Sequence, residues 1–318
     1  MNDVLTTKYW EATTSNAVRC NLCPHRCNIP DNKYGICGTR YNRAGTLITT
    51  GYGIVSSIAL DPIEKKPLYM YRPGSMILSI GGFGCNLRCP FCQNHEISMP
   101  NNTKEIVQKE IVCKESQTKG NVQNACVHHG NIPEHTKFHS PKALTALARQ
   151  TVIDGNIGVA YTFNEPLINY EYLYDCAVDV HDAGLSNIIV TNGYVNEEPL
   201  SELLPLIDAM NIDLKGFTED FYNKLGGTLE PVKQSISKSN KYCHVEITTL
   251  VIPGENENDI EELAKWIASI DPAIPLHLTR FFPRYEYIDK TPTSSKTIYR
   301  SRDVALKYLH TVFTGNMR

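Results

Sequence analysis

Gly81-Gly-Phe-Gly-Cys85-Asn-Leu-Arg-Cys89-Pro-Phe-Cys92-Gln-Asn94 is the stretch whose reading decides the fold and the chemistry. It follows an apolar run, Met76–Ile80, that reads as a buried strand. Three glycines ahead of the thiols let the backbone pass close to a bound group and adopt positive φ angles. The cysteines are spaced three and two residues apart, so a wrapping chain can bring them onto one inorganic cluster. A [4Fe–4S] cluster takes four thiolates, and no fourth cysteine is nearby. One iron would keep an open position, the property that separates catalytic from structural metal sites. A zinc knuckle is the competing reading, with His95 as its fourth ligand.

Working outward, further short β-rich runs occur at Gly158–Phe163, Asn187–Thr191, Met210–Leu214, His244–Ile252 and Leu276–Phe281. Helical stretches separate them. In Ile260–Ile270 the residues Ile260, Leu263, Ala264, Ile267 and Ile270 share one face, with Asp259 placed to cap it. Val304, Leu306, Leu309 and Phe313 form a weaker stripe of the same kind. Strands alternating with helices predict an α/β fold with a parallel sheet, because parallel neighbours need crossovers. Polar turns follow the first four strands: GGFGC, NEP, TNG and DLKG. Such folds build their sites at these carboxyl ends.

Hydrophobic residues make up 42% and charged residues 20% of the 318, enough for a sizeable core. The net charge of −3 gives no field to draw nucleic acid or an anionic membrane. No apolar run is long enough to span a bilayer, and MNDVLTTKYW lacks a signal-peptide core, so a cytoplasmic protein is expected. Eleven cysteines, seven of them in two tight groups, fit metal binding better than a disulfide scaffold.

The second group is Cys20-Asn-Leu-Cys23-Pro-His-Arg-Cys27 with Cys37, in a segment with little hydrophobic periodicity. Four thiolates suit zinc, mononuclear iron or an auxiliary iron–sulfur cluster, and His25 could replace one of them. A structural or docking role is the preferred reading, since metal sites stabilise segments without a core. Residues 1–70 are read as this Cys-rich metal-binding segment and 71–318 as the α/β body. A polar insertion at about 100–139 interrupts the body. It carries Cys113, Cys126, His128, His129, His135 and His139, in no spacing that defines a site, and reads as a mobile surface loop. Cys176 and Cys243 lie in apolar surroundings and read as core thiols.

The C-x3-C-x2-C pattern, with Phe91 before its last cysteine, resembles the radical SAM superfamily. The resemblance implies a [4Fe–4S] cluster on Cys85, Cys89 and Cys92 whose open iron is chelated by S-adenosylmethionine (SAM). Reductive cleavage of SAM then gives a 5′-deoxyadenosyl radical that abstracts hydrogen from the substrate. With six βα units, it implies a partial (β/α)6 TIM-type barrel. Ala160-Tyr-Thr-Phe-Asn-Glu165-Pro166 stands where related enzymes carry a glycine-glycine-glutamate motif, with Phe163 and Asn164 in place of the glycines. Asn164 and Glu165 are thereby implied at the SAM amino group. Thr191-Asn192-Gly193 and Asp213-Leu-Lys215 resemble the third- and fourth-strand ends of glycyl-radical activating enzymes, which implies Asn192, Asp213 and Lys215 as further SAM contacts.

Asp61-Pro-Ile-Glu-Lys-Lys-Pro-Leu-Tyr69, Pro73-Gly-Ser75, the Cys20–Cys27 opening, Tyr161-Thr-Phe-Asn-Glu-Pro166 and Arg280-Phe-Phe-Pro-Arg-Tyr285 together resemble one subfamily. It is the radical SAM member of the AmmeMemoRadiSam system, related to pyruvate formate-lyase activating enzymes. AMMECR- and Memo-family proteins are implied as partners, and flavodoxin or ferredoxin as reductant. The expected function is a radical SAM enzyme acting on a protein or peptide substrate. The alternatives are a glycyl-radical-enzyme activase and a non-catalytic zinc-binding module.

Overall fold

The computed structural model describes residues 7–99, 106–112, 127–133 and 135–317. Eight strands form the main sheet: β1 (Ser57–Pro62), β2 (Met76–Gly81), β3 (Asn156–Tyr161), β4 (Ser186–Thr191), β5 (Ala209–Asp213), β6 (His244–Val251), β7 (Leu276–Arg280) and β8 (Val312–Gly315). They lie side by side in chain order. Only β1 runs antiparallel to its neighbour; every other pair is parallel. Connections carry helices α1 (Pro141–Gln150), α2 (Tyr170–Asp182), α3 (Glu197–Leu203), α4 (Leu229–Ser239), α5 (Ile260–Ile270) and α6 (Ser295–Ala305).

Period-two alternation sorts the side chains. Leu78, Ile80, Val159, Tyr161, Ile189, Met210, Ile212, Val245, Ile247, Leu276 and Leu278 join the helices in the main core. The opposite face carries Ser79, Asn211, Glu246, Thr248 and His277, all buried. Segment 63–71 covers part of this face. Ile63 and Leu68 pack with Ile77, Ala160, Ile188 and Ala209, and Asn211 Nδ2 donates to the Pro67 carbonyl at 2.8 Å.

Glu246 pins the segment. Its carboxylate accepts from Tyr69 N (3.0 Å), Met70 N (2.8 Å), His244 Nε2 (2.9 Å) and His277 Nε2 (2.6 Å). Burial opposes the charge, but these donors outweigh it and hold the carboxyl down at about 2.

Six expected strands match β2 to β7 within two residues at each end. β1 and β8 were not foreseen. β1 lies on the N-terminal side of position 70, so part of segment 1–70 is built into the main sheet. Asp259 occupies the position before α5, but its carboxylate accepts from Phe217 N at 3.2 Å and does not cap that helix. The stripe from Val304 to Phe313 is not one helix: α6 ends at Ala305, and Phe313 lies on β8.

Within the insertion, Ile106–Val112 and Val127–Pro133 pair as an antiparallel ribbon, Val127 opposite Val112. Cys113 and Cys126 fall outside the described residues. Among the described residues no helix is long and apolar enough to cross a membrane.

Glu246→Ala should destabilise the protein by about 3 kcal/mol, because four donors, the buried His277 among them, lose their acceptor. The native carboxyl titrates below the ordinary 4.5, so its contribution is complete above that pH and is lost between 4.5 and about 2. Urea titrations of both proteins at several pH values measure this, with the gap between them closing on acidification.

Candidate active site at the strand ends

The loop leaving β2 is tied down by an amide from the next strand's exit. Gly82 N donates to Asn164 Oδ1 (2.8 Å), and Asn164 Nδ2 donates to the carbonyls of Phe83 (3.0 Å) and Gly84 (3.1 Å). Phe83 and Leu87 are fully buried and anchor the loop from within. Phe91 stacks on Phe221 with ring centres 6.3 Å apart. Asn164, expected beside the cofactor, thus spends its side chain on the loop backbone.

Cys89 is buried, Cys85 and Cys92 half-buried. Cys85 Sγ accepts from Leu87 N (3.4 Å) and from Asn192 Nδ2 (3.6 Å). Burial pushes the Cys85 thiol well up, helped by Glu165 and the neighbouring thiols. Burial likewise moves Cys89 to about 11, with Lys215 restraining the rise. Thiols so placed stay protonated unless a metal takes the proton's place. Three thiols on one loop, with N–H donors to the Cys85 sulfur, are the donor set an iron–sulfur cluster needs.

Glu165 is buried at the exit of β3. Oε1 accepts from Leu167 N (3.0 Å) and Thr191 Oγ1 (2.7 Å), and Oε2 from Asn192 N (2.8 Å). Burial prevails over these donors and lifts the carboxyl to about 7. Lys215 Nζ lies 2.9 Å from Asp213 Oδ2. Burial works against that ammonium, but Asp213 and Cys89 raise its pKa overall. Asn192 Nδ2 also donates to Asn86 Oδ1 at 2.9 Å. The fold therefore gathers Cys85, Cys89, Cys92, Glu165, Asn192, Asp213 and Lys215 around the ends of β2 to β5.

Phe163 explains the departure from two glycines. Its φ is +69°, a backbone region glycine enters freely and phenylalanine rarely. Gly81 makes the room, since a Cβ there would lie 2.8 Å from Phe163 Cβ. Below it, Lys66 Nζ sits 4.7 Å from the Phe163 ring centre and 2.9 Å from Asp61 Oδ2.

Other residues are engaged elsewhere. His95 stacks on Tyr285, and its Nδ1 meets the Cys92 carbonyl at 3.3 Å. His277 bonds Glu246, and Arg280 Nε donates to the Thr293 carbonyl at 2.8 Å. Cys176 lies in the main core.

The N-terminal thiols sit beside this site. Cys20 and Cys37 are buried, Cys23 and Cys27 half-buried. Burial raises Cys20 to about 11 against the pull of Arg40, and it raises Cys23 and Cys27 too. Among the described residues, no three His, Cys, Asp or Glu side chains are set to hold a single metal ion. A cluster binds its ligands to separate irons, so its thiolates stand wider apart than those of one ion.

Asn86 and Arg88 were not anticipated, and His25, expected as a stand-in for one N-terminal thiol, meets a backbone carbonyl instead. Asn86 is buried, Nδ2 donating to the Tyr194 carbonyl at 2.7 Å. Its own carbonyl meets His25 Nε2 at 2.6 Å. Their positions inside two cysteine motifs were the available signal, but motif spacing does not say which intervening side chains turn inward.

A family model described as the radical SAM superfamily matches residues 79–267, from the middle of β2 to the end of α5. The chain belongs to the radical SAM superfamily. It is accordingly an enzyme, and membership brings a [4Fe–4S] cluster and SAM as cofactors. An uncharacterized protein of Methanocaldococcus jannaschii is 36% identical over 316 residues, 97% of this chain and 84% of that protein. The 4-hydroxyphenylacetate decarboxylase activating enzyme of Clostridium scatologenes is 23% identical over 218 residues, 57% of this chain and 69% of that one. In fold, Streptococcus suis SuiB matches at a TM-score of 0.51 with 12% identity, covering 80% of this chain and 51% of that chain.

Glu165 binds its proton more tightly in the folded radical SAM protein than at its ordinary value of 4.5. Folding stability should therefore fall as pH rises from 4.5 through about 7, and Glu165→Gln should flatten that slope in denaturant titrations. Gly84 has φ +82°, and a Cβ there would lie 2.4 Å from the Cys37 carbonyl oxygen. Gly84→Ala should loosen residues 35–39 from the loop, seen as roughly ten-fold faster amide exchange there with the main sheet still protected.

Proposed function

We propose that this enzyme holds a [4Fe–4S] cluster on Cys85, Cys89 and Cys92 and binds SAM against Glu165, Asn192, Asp213 and Lys215. When bound, the two together supply reductive cleavage of SAM to a 5′-deoxyadenosyl radical that takes hydrogen from a substrate. The observation that carries the reading is Asn192, which donates from its backbone to Glu165 Oε2 at 2.8 Å and from its side chain to Cys85 Sγ at 3.6 Å. A zwitterionic amino-acid end offers one ammonium and one carboxylate. The site offers an acid–base pair, Asp213 with Lys215, and a second carboxyl, Glu165. Glu165, near neutrality in pKa, can ionise when a ligand ammonium approaches.

Asn164 keeps its place in this reading as a positioning residue, holding the loop through three hydrogen bonds. The sequential parallel strands suit a partial (β/α)6 barrel, open between β1 and β8. An opening of that kind admits a protein or peptide substrate. The four N-terminal thiols, within segment 1–70, form a second metal site. The subfamily motifs support a cytoplasmic enzyme of the AmmeMemoRadiSam system, with AMMECR- or Memo-family proteins as partners and flavodoxin or ferredoxin as reductant. The likeness to the 4-hydroxyphenylacetate decarboxylase activating enzyme favours a second reading, an activase that installs a glycyl radical on a partner.

Cys89→Ala should lose loop iron and all formation of 5′-deoxyadenosine after anaerobic reconstitution and dithionite reduction with SAM. Circular dichroism should stay native, because the substitution removes one sulfur from a large core. Product formed by a folded Cys89→Ala protein would exclude the proposal.

A further inference from the structure

We infer that the N-terminal thiols Cys20, Cys23, Cys27 and Cys37 hold a redox-active iron–sulfur group that relays electrons to the Cys85–Cys89–Cys92 site. The inference rests on the loop cluster proposed above as the destination, and it assigns the second site a role beyond stapling its segment. A staple needs only its own segment. This one is pressed onto the loop that carries the other thiols: the Cys37 carbonyl lies against Gly84, where no side chain could fit. Arg88 donates to the Cys85 carbonyl at 2.7 Å and, with its other Nη, to the Ile36 carbonyl.

One cation serves both groups. Arg88 lies within electrostatic reach of Cys27 on one side and of Cys89 on the other. Its guanidinium bridges the backbone carbonyl of Cys85 to that of Ile36, next to Cys37. A hydrogen-bonded route also joins them. The His25 backbone N–H donates to Cys23, and the His25 ring meets the Asn86 carbonyl at 2.6 Å. The Asn86 side chain then accepts from Asn192, which donates to Cys85 Sγ at 3.6 Å.

The surroundings suit a group that gains negative charge. Arg40 is fully buried beside Cys20 and Cys37, with its own charge balanced by Glu171 at 2.9 Å. Backbone N–H groups of Leu22, His25 and Ile36 donate to Cys20, Cys23 and Cys27. Hydrogen bonds to sulfur and nearby cations favour the reduced form of an iron–sulfur group. Each transfer moves one electron. A flavodoxin- or ferredoxin-class donor is oxidised by one electron, and the N-terminal group is reduced and then reoxidised as the loop site receives it. No bond to carbon changes in the relay.

The test uses the full chain reconstituted anaerobically with iron and sulfide, in three forms. These are wild type, the triple variant Cys85→Ala, Cys89→Ala and Cys92→Ala, and Cys23→Ser. The triple variant should keep about four irons and show a reducible electron-spin resonance signal in a redox titration. Cys23→Ser should keep loop iron and its reduction by dithionite. Its reduction by a reduced flavodoxin, followed by stopped flow, should slow roughly ten-fold or more. Zinc without iron in the triple variant would overturn the relay while leaving the loop cluster intact. So would a Cys23→Ser protein reduced by flavodoxin at the wild-type rate. If Cys23→Ser does not fold, the metal and the titration of the triple variant decide the matter alone. Wild-type chain with iron only at the N-terminal thiols would overturn the function proposed for the loop, and the relay with it.

Discussion

The site depends on one buried amide. Asn164 spans from the exit of β3 to the loop leaving β2, donating to two loop carbonyls and accepting one loop N–H. The loop cannot be organised by apolar packing alone, since its three cysteines and three glycines offer little apolar side chain. Asn164 supplies the missing hydrogen bonds at low cost, because both of its ends are used. Everything that meets the loop inherits its placement: Asn86 beneath it, Arg88 across it, and the N-terminal segment lying on Gly84.

A second constraint works on the polar face of the sheet. Buried Ser79, Asn211, Glu246, Thr248 and His277 would be costly if left without partners. Segment 63–71 answers two of them, Asn211 through the Pro67 carbonyl and Glu246 through two backbone N–H groups. Thr248 turns to Asn211 at 3.0 Å. The face is thus closed by polar contacts at segment 63–71, and the strand ends are left to Asp213 and the cysteine loop.

Much of this was legible in the sequence. Six strands announce themselves as short β-branched runs, and the cysteine spacing marks the loop. What stayed hidden has physical causes. β8 is only four residues, too short for a period, and β1 mixes Ser57, Asp61 and Pro62 into its run. The ribbon at Ile106–Val112 pairs with a partner rich in histidine and glycine, whose composition gives no strand signal. Asn164 stands where a cofactor contact was expected, yet its amide faces the protein. Sequence gives the residue and not its rotamer. Phe163 shows the reverse case, a residue that breaks the motif while its backbone keeps the glycine conformation.

The docking of the N-terminal segment also sets an order of events in the living cell. Cys20 to Cys37 leave the ribosome first, but their contacts arrive later: Asn86 for His25, Glu171 for Arg40, Asn196 for the Leu22 carbonyl at 3.1 Å, and Glu202 for Lys8. Until about two-thirds of the chain has been synthesised, this set of contacts over the four thiols is incomplete. The metal proposed for these thiols would therefore find its open window during translation.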